Sequence, residues 1–262
     1  MAARRGIKLH QAPNVIPSNG GGQPRKLSVF FCALTASGSL HWSFAHQFGI
    51  MMANSSDPKC PFLFTTHVLA GVRPVEYARN MLVETFLEQT RCDWLIMVDE
   101  DQVVPDNFWH LLLVQGVDIV SGLTYCWVGN NYAAGRLRVN QYSVTPGNEC
   151  FNLFPPQDLE KPYEVPIVGT GCLALRRYVL EKLPPNPFYF TREASGKIRG
   201  SEDINFSILA RKNGFKIAVH PGVRFGHYKS VDLAQVGEFV EADAEFRAAG
   251  APHRVENILS VG

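Results

Sequence analysis

From Lys26 to Tyr125 the chain alternates β-rich apolar runs with amphipathic helical stretches, and nothing else in the sequence restricts its fold as much. "LSVFFCAL" is a continuous strand-type run, followed by the turn-like "TASGS" and by "LHWSFAHQFGIMMA", which suits a helix. "FLFTTHVLAG" predicts a second strand. "RPVEYARNMLVETFLEQT" predicts a helix, with Pro74 in its first turn and Val75, Ala78, Leu82 and Phe86 at helical spacing. "DWLIMVD" then reads as a strand, "PDNFWHLLLVQ" as a helix and "VDIVSGLTY" as another strand. This alternation predicts a largely parallel sheet with helices on both faces. Such sheets take ligands outside the carboxyl ends of their strands.

The second half is less regular. Residues 129–164 are dense in turn formers and aromatics, which predicts short antiparallel strands and loops. "VPIVGTGCLALRRYVLEKL" reads as strand, glycine-rich break, strand and helix. "SEDINFSILARKNGF" reads as a helix with Ser201 at its N-cap, acids in its first turn and Asn213-Gly214 at its end. "KIAVH" is a strand closed by a Pro221-Gly222 turn, and "DLAQVGEFVEADAEFRAAG" predicts a C-terminal helix.

Composition limits the function classes. With 46% hydrophobic residues the chain has ample material for a core, and a net charge of +1 gives no support to nucleic-acid or membrane-surface binding. No apolar run reaches the ~20 residues of a membrane span, and no secretory signal is expected in the N-terminal stretch. Residues 1–25 carry basic residues and no acid, and read as a disordered, solvated tail or a polyanion-binding one. Cys32, Cys60, Cys92, Cys126, Cys150 and Cys172 lack CxxC spacing, which predicts reduced thiols and a cytoplasmic setting (host cytoplasm if the protein is viral).

The chemistry concentrates in "WLIMVDEDQVVPD", where Asp99, Glu100 and Asp101 stand at a strand's carboxyl end. In extended chain Asp99 and Asp101 point the same way while Glu100 points elsewhere. Two convergent carboxylates suit Mg2+ or Mn2+ carrying a phosphate group; a charged, solvated loop is the alternative. Glu202 and Asp203 open a helix, where the helix dipole alone would explain them, or where one could act as a general base. His227, in "RFGHYKS", is a surface or core histidine, or an imidazole ligand for Mn2+. Arg79-Asn80 offers a solvated arginine, or a cation near a diphosphate or the acids.

Taken in order, "YARNMLVETFLEQT", "DWLIMVDEDQVVPDNFWHLL", "VDIVSGLTY", "VPIVGTGCLALRRYVLE", "SEDINFSILARKNGFKIAVHPGV" and "GHY" resemble the GT-A nucleotide-sugar glycosyltransferases, in particular compact family-2-like members of bacteria and phages. The resemblance implies an α/β GT-A (Rossmann-like) fold: a central, mostly parallel sheet with helices on both faces and a smaller antiparallel part. It divides the chain into the tail 1–25, one catalytic domain 26–230 and a helical extension 231–262. By this resemblance Asp99 and Asp101 form the DxD motif, Asp101 binding the metal directly and Asp99 lying nearer the ribose or the metal's water. His227 matches a third metal ligand, and Asp203 (or Glu202) the general base of an inverting enzyme. Leu34, Thr35 and Ala36 line the base pocket, Arg79 and Asn80 stand near the donor, and Gly169–Gly171 forms the wall beside sugar and acceptor. The family's P-x-Y/N signature is absent after Leu34, which leaves the base open.

The implied cofactor is Mn2+ or Mg2+, and the implied partners are a nucleotide-diphosphate sugar and an acceptor that is a glycan, a protein or a modified nucleic-acid base. Acceptor contacts are expected among Tyr125, Trp127, Tyr132 and Tyr142, which core packing would explain equally well. Two other readings stand beside this one. "MVDEDQVV" also fits a haloacid-dehalogenase-type phosphatase with Asp99 as nucleophile and Asp101 as acid/base, although about a third of the chain precedes the motif. A non-catalytic nucleotide-sugar-binding protein would keep the fold without turnover.

Overall fold

The structure is a computed structural model that describes residues 25–128, 136–139, 141–144, 150–152, 158 and 160–228. The expected tail up to residue 24, the helix expected over 231–262, Tyr132 and the Trp127 side chain lie outside the described residues.

The alternation seen in the sequence becomes β1 (Leu27–Thr35), α1 (Trp42–Ser56), β2 (Phe62–Ala70), α2 (Val75–Gln89) and β3 (Trp94–Asp99). A two-residue strand β4 (Gln102–Val103), a 3-10 helix (Phe108–Leu113) and the long β5 (Ile119–Val128) follow. Next come the short strands β6 (Arg136–Val139), β7 (Gln141–Val144), β8 (Cys150–Asn152), β9 (Tyr163–Glu164) and β10 (Ile167–Val168). The remainder is β11 (Cys172–Arg176), α3 (Arg177–Lys182), β12 (Thr191–Arg192), β13 (Ile198–Gly200), α4 (Glu202–Lys212) and β14 (Ile217–His227).

The main sheet runs β2-β1-β3-β11-β5-β14-β4, with β6 beside β5 and β9 beside β14. Its five longest strands, β1, β2, β3, β5 and β14, share one direction, while β11 is inserted antiparallel between β3 and β5. Small antiparallel sheets, β10-β7-β8 and β12-β13, complete a mixed α/β fold. The protein therefore has the expected mostly parallel centre and smaller antiparallel part.

Why β1 and β3 read as unbroken apolar runs is plain from the layers. Val29, Phe31 and Ala33 of β1, with Trp94, Ile96 and Val98 of β3, pack on α1 and the 3-10 helix. Phe30, Cys32 and Leu34, with Leu95 and Met97, pack on α2, α3 and α4. Both faces are covered, so both alternating sets must be apolar. Each fully buried Phe, Leu or Ile contributes roughly 1.5–3 kcal/mol. Cys32, Cys92 and Cys172 are buried and free, and Cys60 is half-buried and free. Burial raises the Cys32 thiol to about 12, as expected for an inert core thiol.

Three expectations change in detail. The segment around Phe108 forms one short 3-10 stretch in place of an α-helix, its amides reaching three residues back, as from His110 to the Asn107 carbonyl at 3.0 Å. The Pro221-Gly222 step does not end its strand. β14 continues through it, and pairing with β5 jumps from His220↔Gly122 to Arg224↔Leu123. Proline has no amide to give the ladder, so the chain bulges there and resumes. Ser201 stands at the N-cap position of α4 without capping its backbone; its hydroxyl donates to the Asp203 carboxylate instead.

The strand order places the site. β1 connects through α1 to β2 on one side, then α2 returns over the opposite face to β3 on the other side of β1. The direction of winding reverses at β1, so its carboxyl end and that of β3 open a crevice, with Leu34 paired to Asp99.

Candidate functional site

A cleft of ≈ 210 Å³ occupies that crevice, lined by Leu34, Thr35 and Ala36 from β1 and its loop. Leu69, Val72 and Ala78 add apolar wall, and Asp99, Glu100 and Asp101 close one side. The three acids share the cleft, yet each carboxylate goes to a different partner. The period-2 argument for converging Asp99 and Asp101 fails here because β3 ends at Asp99, and Glu100 and Asp101 lie in a turn.

Asp99 accepts a hydrogen bond from Arg79 Nη2 at 3.0 Å. Arg79 is not solvated: α2 turns it inward among Ala78, Leu82 and Val83, and it is only 2% exposed. Its Nε lies 3.6 Å from Glu202 Oε1, so one buried guanidinium joins the end of β3 to the start of α4. Burial alone would weaken the Arg79 charge, but Asp99, Glu202 and Asp203 outweigh it and hold its pKa above the ordinary value. Nε and Nη1 have no hydrogen-bond acceptor among the described residues.

Glu202 is buried and takes a hydrogen bond from Thr170 Oγ1 at 3.3 Å. Burial pushes its carboxyl above the usual range; Arg79 opposes the shift and Asp203 adds to it. Asp203 is half-exposed and accepts from the Ile204 amide at 2.8 Å.

Glu100, a bystander on the sequence reading, instead ties the loop after β1 to the acids. It accepts from Thr35 Oγ1, from Ser37 Oγ at 2.6 Å and from the Ser37 amide at 3.3 Å. Burial acts to raise this carboxyl, but the hydrogen bonds from Ser37 and Thr35 outweigh it and hold it below the usual range.

Asp101 Oδ2 meets His227 Nε2 at 3.0 Å across 126 residues of chain. The β4–β14 ladder makes this contact, pairing His227 with Gln102. At Gly226 an added Cβ would stand 2.9 Å from the Val103 Cβ, so the close pairing needs glycine. The other imidazole nitrogen, Nδ1, lies 2.8 Å from the Tyr125 carbonyl oxygen, which orients the ring. The Tyr228 amide donates to the Asp101 carbonyl at 2.7 Å and holds the pair from behind.

Of the remaining residues named from the sequence, Gly171 sits against the acids. Its carbonyl accepts from the Asp99 amide at 3.0 Å, and an added Cβ would lie 3.7 Å from Asp99 Oδ2. Gly169 is buried beside Thr170. Asn80 is used elsewhere, bonding both the carbonyl (2.8 Å) and the amide (3.1 Å) of Phe188. Thr170 and Gln102 were missed, since a lone threonine or glutamine carries no pattern. Gln102 is buried, its Nε2 lying 3.4 Å from Asp101 Oδ1.

Among the described residues no group of three or more His, Cys, Asp or Glu side chains is gathered to hold a metal ion. Asp101 and His227 are two, one carboxylate and one imidazole. That set fits Mn2+ or Mg2+ if phosphate oxygens of a ligand and waters complete the shell, the usual arrangement for these hard cations.

No family model and no curated protein matches the chain. Among solved structures it is similar to A197 from STIV, at 20% identity over 78% of this chain and 86% of that one, with a TM-score of 0.46. It is also similar to GalNAc-T7, whose structure holds UDP, GalNAc and Mn2+, at 15% identity and a TM-score of 0.47. That match covers 79% of this chain and 44% of the other. No helix among the described residues is long and apolar enough to cross a membrane.

Proposed function

We propose that the protein is a metal-dependent glycosyltransferase of the GT-A type, moving a sugar from a nucleotide-diphosphate donor to an acceptor hydroxyl with inversion. The observation that carries this reading is the Asp101–His227 pair at the lip of a cleft formed where the sheet's winding reverses. The cleft's apolar walls from Leu34, Leu69 and Val72 suit a nucleobase, with Thr35 and Ala36 beside it at the end of β1.

Asp101 and His227 would hold the divalent cation, which when bound neutralises charge on the leaving diphosphate. Asp203 is the general base: it is half-exposed, so an acceptor hydroxyl can reach it, whereas Glu202 is enclosed. The acceptor oxygen attacks the anomeric carbon as its proton passes to the Asp203 carboxylate, and the nucleoside diphosphate departs. Arg79 keeps Asp99 and Glu202 in place from below the cleft. Such a clamped Asp99 is a poor nucleophile, which counts against the phosphatase reading, and a phospho-aspartyl adduct on Asp99 would reinstate it.

The test is nucleotide release from a panel of nucleotide sugars with Mn2+. Asp101→Ala is expected to abolish it, and Asp203→Asn to slow transfer by roughly 10²–10⁴-fold while donor binding persists. Full turnover by Asp101→Ala would remove the proposed site. Tight donor binding with silence across the panel would favour a binding protein.

A further inference from the structure

On the side of the acids opposite the cleft lies a group of aromatic rings that the catalytic reading leaves unused. Trp42 is 71% exposed and Tyr228 60% exposed, while α1 turns its two phenylalanines inward, Phe44 buried and Phe48 packed against the core. His41 stands between them, its ring centroid 5.4 Å from that of Trp42 and 5.6 Å from that of Tyr228. Neither neighbour is loosely placed. The Ser43 amide donates to His41 Nδ1 at 3.3 Å, which seats that ring as the N-cap of α1. Tyr228 follows His227 directly and is tied through its amide to the Asp101 carbonyl.

We propose that His41, Trp42 and Tyr228 form a carbohydrate-stacking platform that seats a pyranose ring of the acceptor. This deepens the glycosyltransferase reading and rests on it for the acceptor's role. Three observations select a sugar. The rings are tilted to His41 by 42° and 41°, so they present inclined faces to a puckered C–H surface rather than one flat stack. A nucleobase would want a flat slot, and the apolar cleft on the α2 side already offers the base its place. The rim is polar: His46 lies beside Trp42, with ring centroids 6.4 Å apart, and its Nε2 is 3.9 Å from Asp106 Oδ1. Asp106 is exposed and braced by Gln47 Nε2 at 2.7 Å, so an imidazole and a carboxylate stand ready for sugar hydroxyls. The platform flanks Asp101 and His227 from the α1 face as the cleft flanks the acids from the α2 face. Asp203 opens α4 on the α2 face, so the ring seated on the platform belongs to a part of the acceptor beyond its reacting hydroxyl.

The experiment needs neither donor nor metal. Indole NMR signals of the full chain are followed while methyl hexopyranosides and their disaccharides are added, with sorbitol and free nucleosides as controls. The Trp42 signal, assigned by its loss in Trp42→Phe, is expected to shift saturably with pyranosides and not with sorbitol or nucleosides. The buried Trp94 signal should stay put. Tyr228→Ala should weaken the sugar response roughly 3–10-fold, and thermal unfolding would show that the variant is folded. Shifts of equal size with nucleosides, or none with any sugar, would overturn the proposal. Sugar binding without any nucleotide-sugar turnover would leave the platform standing and remove the catalytic reading. Turnover with an unchanged acceptor KM in Trp42→Ala would do the reverse.

Discussion

Replacing Arg79 by leucine removes the side chain that, among the described residues, joins β3 to α4 through charge. The substitution keeps apolar bulk on the buried face of α2 but leaves two carboxylates without their cation. Breaking a buried ion pair from one side costs about 3–5 kcal/mol. Glu202 is enclosed, but the Asp99 side chain is 30% exposed and water will solvate part of it, so the lower end, about 3 kcal/mol, applies. At about 2–4 °C per kcal/mol the midpoint of thermal unfolding should fall by roughly 6–12 °C.

The pH dependence tests the cause. Burial already holds the Glu202 pKa above its unfolded value, and Arg79 is what opposes this, so the variant's Glu202 pKa should rise further. A group raised in the folded state contributes its stability below the unfolded pKa and loses it as pH climbs through the folded pKa. The deficit of Arg79→Leu against the parent should therefore be largest near neutrality and shrink as the solution is acidified toward the carboxylate range. Circular-dichroism melts at about pH 7.5 and about pH 5 measure it. Adding Glu202→Leu to the variant should recover part of the loss. A midpoint that does not move, or a deficit equal at both pH values, would refute the strut.

Three further outcomes are expected. Gly226→Ala should force β14 away from Val103 and part His227 from Asp101, weakening Mn2+ binding in calorimetry by about 10-fold or more while the fold persists; unchanged binding would refute that geometry. Chelation with EDTA should stop nucleotide release and Mn2+ or Mg2+ restore it; activity that survives exhaustive chelation would exclude the metal. Thr35→Val removes a donor from Glu100, a carboxyl held low in the folded state, so its stabilisation is present above the unfolded pKa and lost as pH falls through the folded one. The gap between parent and variant melts should thus narrow in acid by up to about 1 kcal/mol, discounted for exposure, leaving the pH-independent loss of the Thr35 bonds to Ser39 and Gly38.

The sheet was legible in the residues because each strand is a local apolar run and each helix a local periodicity. The acids at the end of β3 were readable for the same reason, as punctuation at a strand end. The Pro221 bulge was not, since it is set by the pairing of β14 with β5, and nothing local in the residues marked the 3-10 geometry of the Phe108 segment. Glu100 was misjudged because strand alternation was carried two residues past the end of β3, to Asp101.

By itself, then, the sequence determined the strands, the helices and where the carboxylates stand along the chain. The tertiary structure alone decided what each carboxylate meets. Arg79 reaches Asp99 over 20 residues, Thr35 reaches Glu100 over 65, and His227 reaches Asp101 over 126. Secondary structure follows from neighbours a few residues apart, whereas a charge takes its partner from whatever the packed sheet brings within about 3–4 Å. That is why "VDED" announced a site, and only the folded sheet assigned Asp99 to a buried arginine, Glu100 to a loop and Asp101 to a histidine.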